Sequence, residues 1–289
     1  MPAPDSLPFA LIVFEVACWF AGLVLLWRLA TGRLGPSVPA LAPWRISLEG
    51  FVVGILLVFL GGAVLPQVLY NLSNDSLGPA ARDGDWWLMA RGAAFQLGML
   101  GGALLAALYL RFIPGNASLV ASVPSDTTTR TSTPTSRPIL VGTITFLISL
   151  PVINGVGLGW KTILALLDFP TSEQSMVDVF RNADDPVLLL LMIVLAVVIA
   201  PLTEELIFRA GLFRYLRTRI SRPFAMVLPA LIFAYFHDNL AAFVPLLALG
   251  ILFAFAYERS GRISVPIIAH ALFNLNTIVL AMAGFGIEN

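Results

Sequence analysis

Residues 187–209 read VLLLLMIVLAVVIAPLTEELIFR, and this stretch decides the fold. Everything before Pro201 is apolar, and Glu204, Glu205 and Arg209 then follow with leucine, isoleucine and phenylalanine between them. An apolar run of about 20 residues is what a bilayer core demands of one helix. Carboxylates within such a segment are costly to bury and mark function by default. The remaining sequence repeats the pattern. Apolar stretches fall at about Pro8–Trp27, Phe51–Tyr70, Trp87–Leu110, Ile139–Leu158, Val187–Arg209, Phe224–Phe236, Leu240–Tyr257 and Ile263–Ala283. The sixth is short, and the fifth runs on past Pro201. The expected fold is all-α, a polytopic membrane bundle of about eight transmembrane helices.

Composition agrees. The 289 residues are 58% hydrophobic and 12% charged, against about 45–50% and about 25% in soluble domains. Seventeen basic residues balance seventeen acidic ones, so no global field draws the chain to nucleic acid. The single cysteine, Cys18, excludes a disulfide framework within the chain and a multi-cysteine metal site. The short alternating segments of a β-barrel are absent. The first stretch lacks a basic leader and reads as a retained anchor rather than a signal peptide.

Charge placement orders the spans. Arg28, Arg33 and Arg45 follow the first; Arg111, Arg130 and Arg137 the third; Arg209, Arg214, Arg217, Arg219 and Arg222 the fifth; Arg259 and Arg262 the seventh. The alternate loops carry Asp75, Asp83 and Asp85, then Asp168, Glu173, Asp178, Asp184 and Asp185. The positive-inside rule then places the arginine-rich loops in the cytoplasm and both termini outside. The Ser/Thr/Pro-rich residues 120–138 read as a flexible linker. It divides an N-terminal three-helix section, 1–119, from a membrane core, 139–289, whose motifs lie within 187–282. In the front section, Gly98 and Gly102 stand at the spacing that lets two membrane helices approach closely.

The chain has two histidines, His237 and His270, both in the last third. Glu205 finds Arg209 at i+4, the favoured helical ion pair, and reads as support. Glu204 then has no local partner and reads as the working group. Glu204 and His237 lie at similar distances on either side of the turn near Ile220–Ser221, so antiparallel helices would bring them to one depth. Phe213, taken as an interfacial aromatic, sets that depth for Glu204, and Arg262 sets a similar one for His270. His270 and Asn274, four apart, share a helix face. His237 would then lie mid-membrane, with Asp238 and Asn239 as a break lining a cavity. A glutamate–histidine pair can activate water, and a histidine with an amide can donate to a developing oxyanion. No His-Glu-x-x-His zinc signature is present, and Lys161 lies on the acidic side.

These residues resemble the CPBP family (CAAX proteases and bacteriocin-processing proteins, also called Abi), which are intramembrane proteases. Its three motifs stand as Glu204-Glu205-Leu206-Ile207-Phe208-Arg209, as Phe233-Ala234-Tyr235-Phe236-His237, and as His270-Ala271-Leu272-Phe273-Asn274. Gly261-Arg262-Ile263-Ser264-Val265-Pro266 precedes the last of them. The resemblance covers about Val187–Met282. It implies that Glu204 and His237 activate the water, His270 and Asn274 hold the oxyanion, and Glu205 and Arg209 orient the site.

The resulting expectation is an intramembrane endopeptidase. It would hydrolyse a peptide bond in a membrane-associated protein or peptide, prenylated or not, within the bilayer and without a nucleic-acid partner. Its address would be the bacterial cytoplasmic membrane, with the site nearer the cytoplasmic side. No cofactor is expected. The family name "metalloendopeptidase" keeps zinc as an alternative, held by Glu204, His237 and His270. Two other readings compete: a non-catalytic membrane scaffold or immunity protein, and a transporter with an intramembrane Glu/His relay.

Overall fold

The computed structural model describes residues 6–34, 41, 44, 46–74, 84–112, 137–171, 179–180 and 184–284. Most of the expected linker, 120–136, lies outside them, as do Arg45, Asp75, Asp83, Arg130, Glu173 and Asp178. Among the described residues there are helices and no strands. Eight helices follow in order: α1 Ser6–Ala30, α2 Leu48–Asn74, α3 Asp85–Phe112, α4 Arg137–Leu166, α5 Pro186–Arg217, α6 Arg222–Tyr235, α7 Leu240–Ser260 and α8 Ser264–Met282. Seven are long and apolar enough to cross a membrane, and α6 is shorter. The chain is an integral, all-α membrane protein. Arg137 and Pro138, placed in the linker by composition, open α4.

Local chemistry sets the boundaries. Asp185 caps α5 by accepting from the amides of Val187 and Leu188, with Pro186 in the first turn. Asn239 caps α7 by accepting from Ala242 N–H at 2.8 Å. Gly261 ends α7 at φ +67°, the left-handed conformation a glycine adopts without a Cβ clash. Pro201 shapes the middle of α5. A proline donates no hydrogen bond, and the turn before it widens into a π-helix over Leu195–Ile199, where Ala200 N–H reaches Leu195 O. A second π-helical stretch covers Glu205–Phe213, directly after Glu204.

The helices group into two compact units. The first holds α1, α4, α6, α7 and α8. Its core joins Phe146, Leu150 and Ile153 of α4 to Leu249 and Phe253 of α7 and Ala269 of α8, with Cys18 and Trp19 of α1 at the margin. The absence of a side chain at Gly22 lets α1 press on the Leu147 carbonyl, and Gly142 gives Ile268 of α8 its place. Sequence order put α1 with α2 and α3; contacts put it on α4.

The second unit holds α2, α3 and α5. Gly61 of α2 meets Gly98 of α3 backbone to backbone, and Gly102 lies on Leu57, so a Cβ at Gly98 or Gly102 would overlap main-chain atoms. This is the close approach that the glycine spacing implied. Gly101, one residue away, has open space around it. Gly102→Val is therefore expected to destabilise the unit by about 1–3 kcal/mol or more, whereas Gly101→Val leaves thermal stability nearly unchanged. Melting curves of the two variants in one detergent make the comparison. At one end of this unit, Phe51 of α2 stacks on Tyr215 of α5 with ring centroids 3.5 Å apart. Arg219 lies over the Tyr215 ring and donates to the Ile46 carbonyl at 2.7 Å and to the Trp44 carbonyl at 3.3 Å.

Candidate active site

Glu204, Glu205 and Arg209 belong to the second unit, on the part of α5 where the helix widens. Glu205 and Arg209 are fully buried, and Arg209 Nη1 donates to Glu205 Oε1 at 2.8 Å. The i+4 pair foreseen in the sequence is formed. In an apolar interior such a pair stands only because each charge compensates the other. Glu204 is 9% exposed. Its Oε1 accepts from Nε2 of Gln96, on α3, at 2.8 Å. Immediately before it, Thr203 donates its hydroxyl to the Ile199 carbonyl at 2.8 Å, satisfying part of the widened turn.

His237, His270 and Asn274 belong to the first unit. His237 follows the last turn of α6, Asp238 has a positive φ of 47°, and Asn239 begins α7, so the helical break expected at these residues is present. His237 Nδ1 lies 2.8 Å from the Phe233 carbonyl. A carbonyl only accepts, so this contact places a proton on Nδ1 and leaves Nε2 of the neutral ring as an acceptor. Phe233 touches both histidines: its centroid is 4.7 Å from the His237 ring and 5.9 Å from the His270 ring. Phe253 of α7 packs on His270 from 5.3 Å. His270 is buried, whereas Asn274, one turn further along α8, is half-buried. The unit thus gathers both imidazoles about one phenylalanine, and Asn274 shares the helix of the second.

Asp185 defines the far end of α5 from Arg219. It lies outside the membrane-spanning stretch, and its carboxyl sits below the ordinary value of 3.8 because the amides of Val187 and Leu188, and the Trp86 indole at 3.1 Å, all donate to its ionised form. A lowered folded-state value contributes stability above the ordinary value and loses it as pH falls through the lowered one. Acidification below about 3.8 is therefore expected to fray the first turn of α5. Amide exchange at Val187 and Leu188 checks this: protection lost on that descent in the parent should already be missing at neutral pH in Asp185→Ala, which removes the accepting oxygens.

One expectation changes. Phe213, used as an interfacial marker of depth, is fully buried and packs inside the protein. Glu204, read as having no local partner, is reached by Gln96 from 108 residues away. The hint in the sequence was a lone amide in a third span whose apolar run is otherwise broken by Arg91. Among the described residues, no group of three or more histidine, cysteine, aspartate or glutamate side chains gathers to hold a metal ion.

These features define a class: a polytopic helical membrane protein with a buried carboxylate on a widened helix and two histidines on the helices that follow. Residues 186–276 match the family model described as "Type II CAAX prenyl endopeptidase Rce1-like". A curated protein of Bacillus subtilis (strain 168), named "Putative membrane peptidase YdiL", is 35% identical over 92 residues, 32% of this chain and 38% of that protein. The chain therefore covers well under half of the curated relative's length. No solved structure matches. This segment, which contains all three motifs, is the part of the chain that is similar to these membrane endopeptidases.

Proposed function

We propose that the protein is an intramembrane endopeptidase that cleaves a peptide bond by direct attack of water. The observation that carries the reading is Glu204: a carboxylate in a buried setting, held by a side-chain amide, at the first position of the family's motif. In this mechanism Glu204 takes a proton from water as its oxygen attacks the scissile carbonyl carbon. His237 orients that water through Nε2, the nitrogen that its contact with the Phe233 carbonyl leaves as an acceptor. The tetrahedral oxyanion accepts hydrogen bonds from His270 and the Asn274 amide. Collapse of the intermediate breaks the C–N bond, and the proton passes from Glu204 to the departing amine. Glu205 and Arg209 fix the helix that carries Glu204. Grouping these residues in one site rests on the motif order and on the sequence spacing.

The description of the matching family supports a membrane-associated polypeptide, prenylated or not, as the substrate class. The arginine-rich segments between the fifth and sixth and between the seventh and eighth helices support an orientation with those segments in the cytoplasm.

Detergent-purified protein and its Glu204→Ala variant, given a library of prenylated and unlipidated membrane peptides with and without chelator, test the reading by mass spectrometry. Cuts that vanish in the variant and survive chelation are expected. Cuts lost to the chelator and restored by zinc would make Glu204, His237 and His270 metal ligands instead. A library with no Glu204-dependent cut would return the protein to the scaffold reading.

A further inference from the structure

We propose that Gln96, on the third helix, is a positioning residue for Glu204; the inference rests on the endopeptidase reading above. Gln96 is 7% exposed. A buried side-chain amide in a membrane helix is retained against a cost in desolvation that leucine or methionine would avoid. Its hydrogen bonding is uneven. Nε2 donates to Glu204 Oε1 at 2.8 Å, while the equally buried Gln96 Oε1 has no hydrogen-bond partner. A side chain kept for packing would not leave a buried acceptor open. The cost is tolerated for the other end of the amide, which grips the carboxylate.

The scaffold around Gln96 is built for fixed geometry. Two residues further on, Gly98 locks α3 against Gly61 of α2, and one turn later Gly102 locks it against Leu57. A helix held by backbone contact on both sides of such a crossing has little freedom to slide. Gln96 therefore delivers its donor from a rigid element to a carboxylate on α5, where two π-helical stretches interrupt the regular turns. A glutamate has three rotatable side-chain bonds, and one fixed hydrogen bond removes much of that freedom. Loss of the donor would leave substrate binding alone and lower the fraction of complexes in which Glu204 is aimed at the water. In this assignment the front helices, which carry none of the three motifs, set the aim of the base.

The test uses the full-length protein and the library peptide that the parent cuts fastest, with Gln96→Met, Glu204→Gln and the double variant. Gln96→Met is expected to lower kcat about 10- to 100-fold, the worth of one hydrogen bond to a charged group, with KM within about twofold of the parent. The double variant is expected to be no slower than Glu204→Gln alone, because Gln96 acts through that carboxylate. Unchanged kcat in Gln96→Met, a loss confined to KM, or effects that multiply in the double variant would each overturn the proposal. Gln96→Asn keeps the amide but draws it back by one methylene. It serves if the methionine variant does not fold, with the same loss of kcat expected and full activity counting against the proposal. Cleavage that survives Glu204→Gln is a different failure: it removes the endopeptidase reading, and this assignment with it.

Discussion

Glu204→Gln is expected to lower kcat for peptide hydrolysis about 10²–10⁴-fold, the usual contribution of a positioned general base. The substitution replaces one carboxylate oxygen by an amide of nearly the same shape, and the remaining oxygen can still accept from Gln96. The helix, its π-helical stretches and the neighbouring Glu205–Arg209 pair have no reason to move. The variant should therefore melt like the parent and bind substrate with a similar KM. The loss should appear in kcat alone, since proton removal from water is needed only on the way to the transition state. A variant that keeps more than about a tenth of parental kcat is incompatible with Glu204 as the base.

The second large effect is on stability. Arg209→Leu leaves the Glu205 carboxylate without the guanidinium that compensates it, in a place where neither residue touches solvent. Breaking a buried pair in this way costs about 3–5 kcal/mol. Removing both charges together, as in Glu205→Leu with Arg209→Leu, is expected to recover most of that loss, because neither ion then has to be stripped of water alone. Chemical-denaturant or thermal curves of the two singles and the double in one detergent provide the cycle. The double variant separates two roles: restored melting without restored cleavage means the pair shapes the site as well as the fold. A double variant as unstable as the single would show that the pair is not the source of the stability.

Much of this molecule was legible because the bilayer imposes a simple rule. Every expected apolar stretch is matched by a helix, and Pro201, Gly261 and the break at His237–Asn239 act locally in ways their residue types announce. The Glu205–Arg209 pair and the Gly98 and Gly102 approach were readable for the same reason: each depends on spacing along one helix. What escaped depends on contacts between distant parts of the chain. Nothing in the span that carries Gln96 says that it touches Glu204. Nor does Phe213 reveal that its ring is buried rather than at an interface, since aromatic residues suit both places. That α1 packs on α4 is equally hidden, because chain order says nothing about lateral neighbours in a membrane.

The two π-helical stretches of α5 make it a helix carrying extra residues in its turns. Rotational phase along α5 is thereby offset: beyond Phe213, each side chain points where a plain α-helix would have put a different one. Tyr215 meets Phe51, and Arg219 reaches the Ile46 carbonyl, in this shifted phase. Winding Glu205–Phe213 as a regular α-helix with no residue removed would carry Tyr215 and Arg219 round by about 100° for each extra residue the widened turns now absorb. The motif glutamates upstream would stay where they are, while the ring stack and the arginine clamp that anchor the helix's far end came undone. The winding of this segment is thus a structural parameter as specific as the identity of any residue in it.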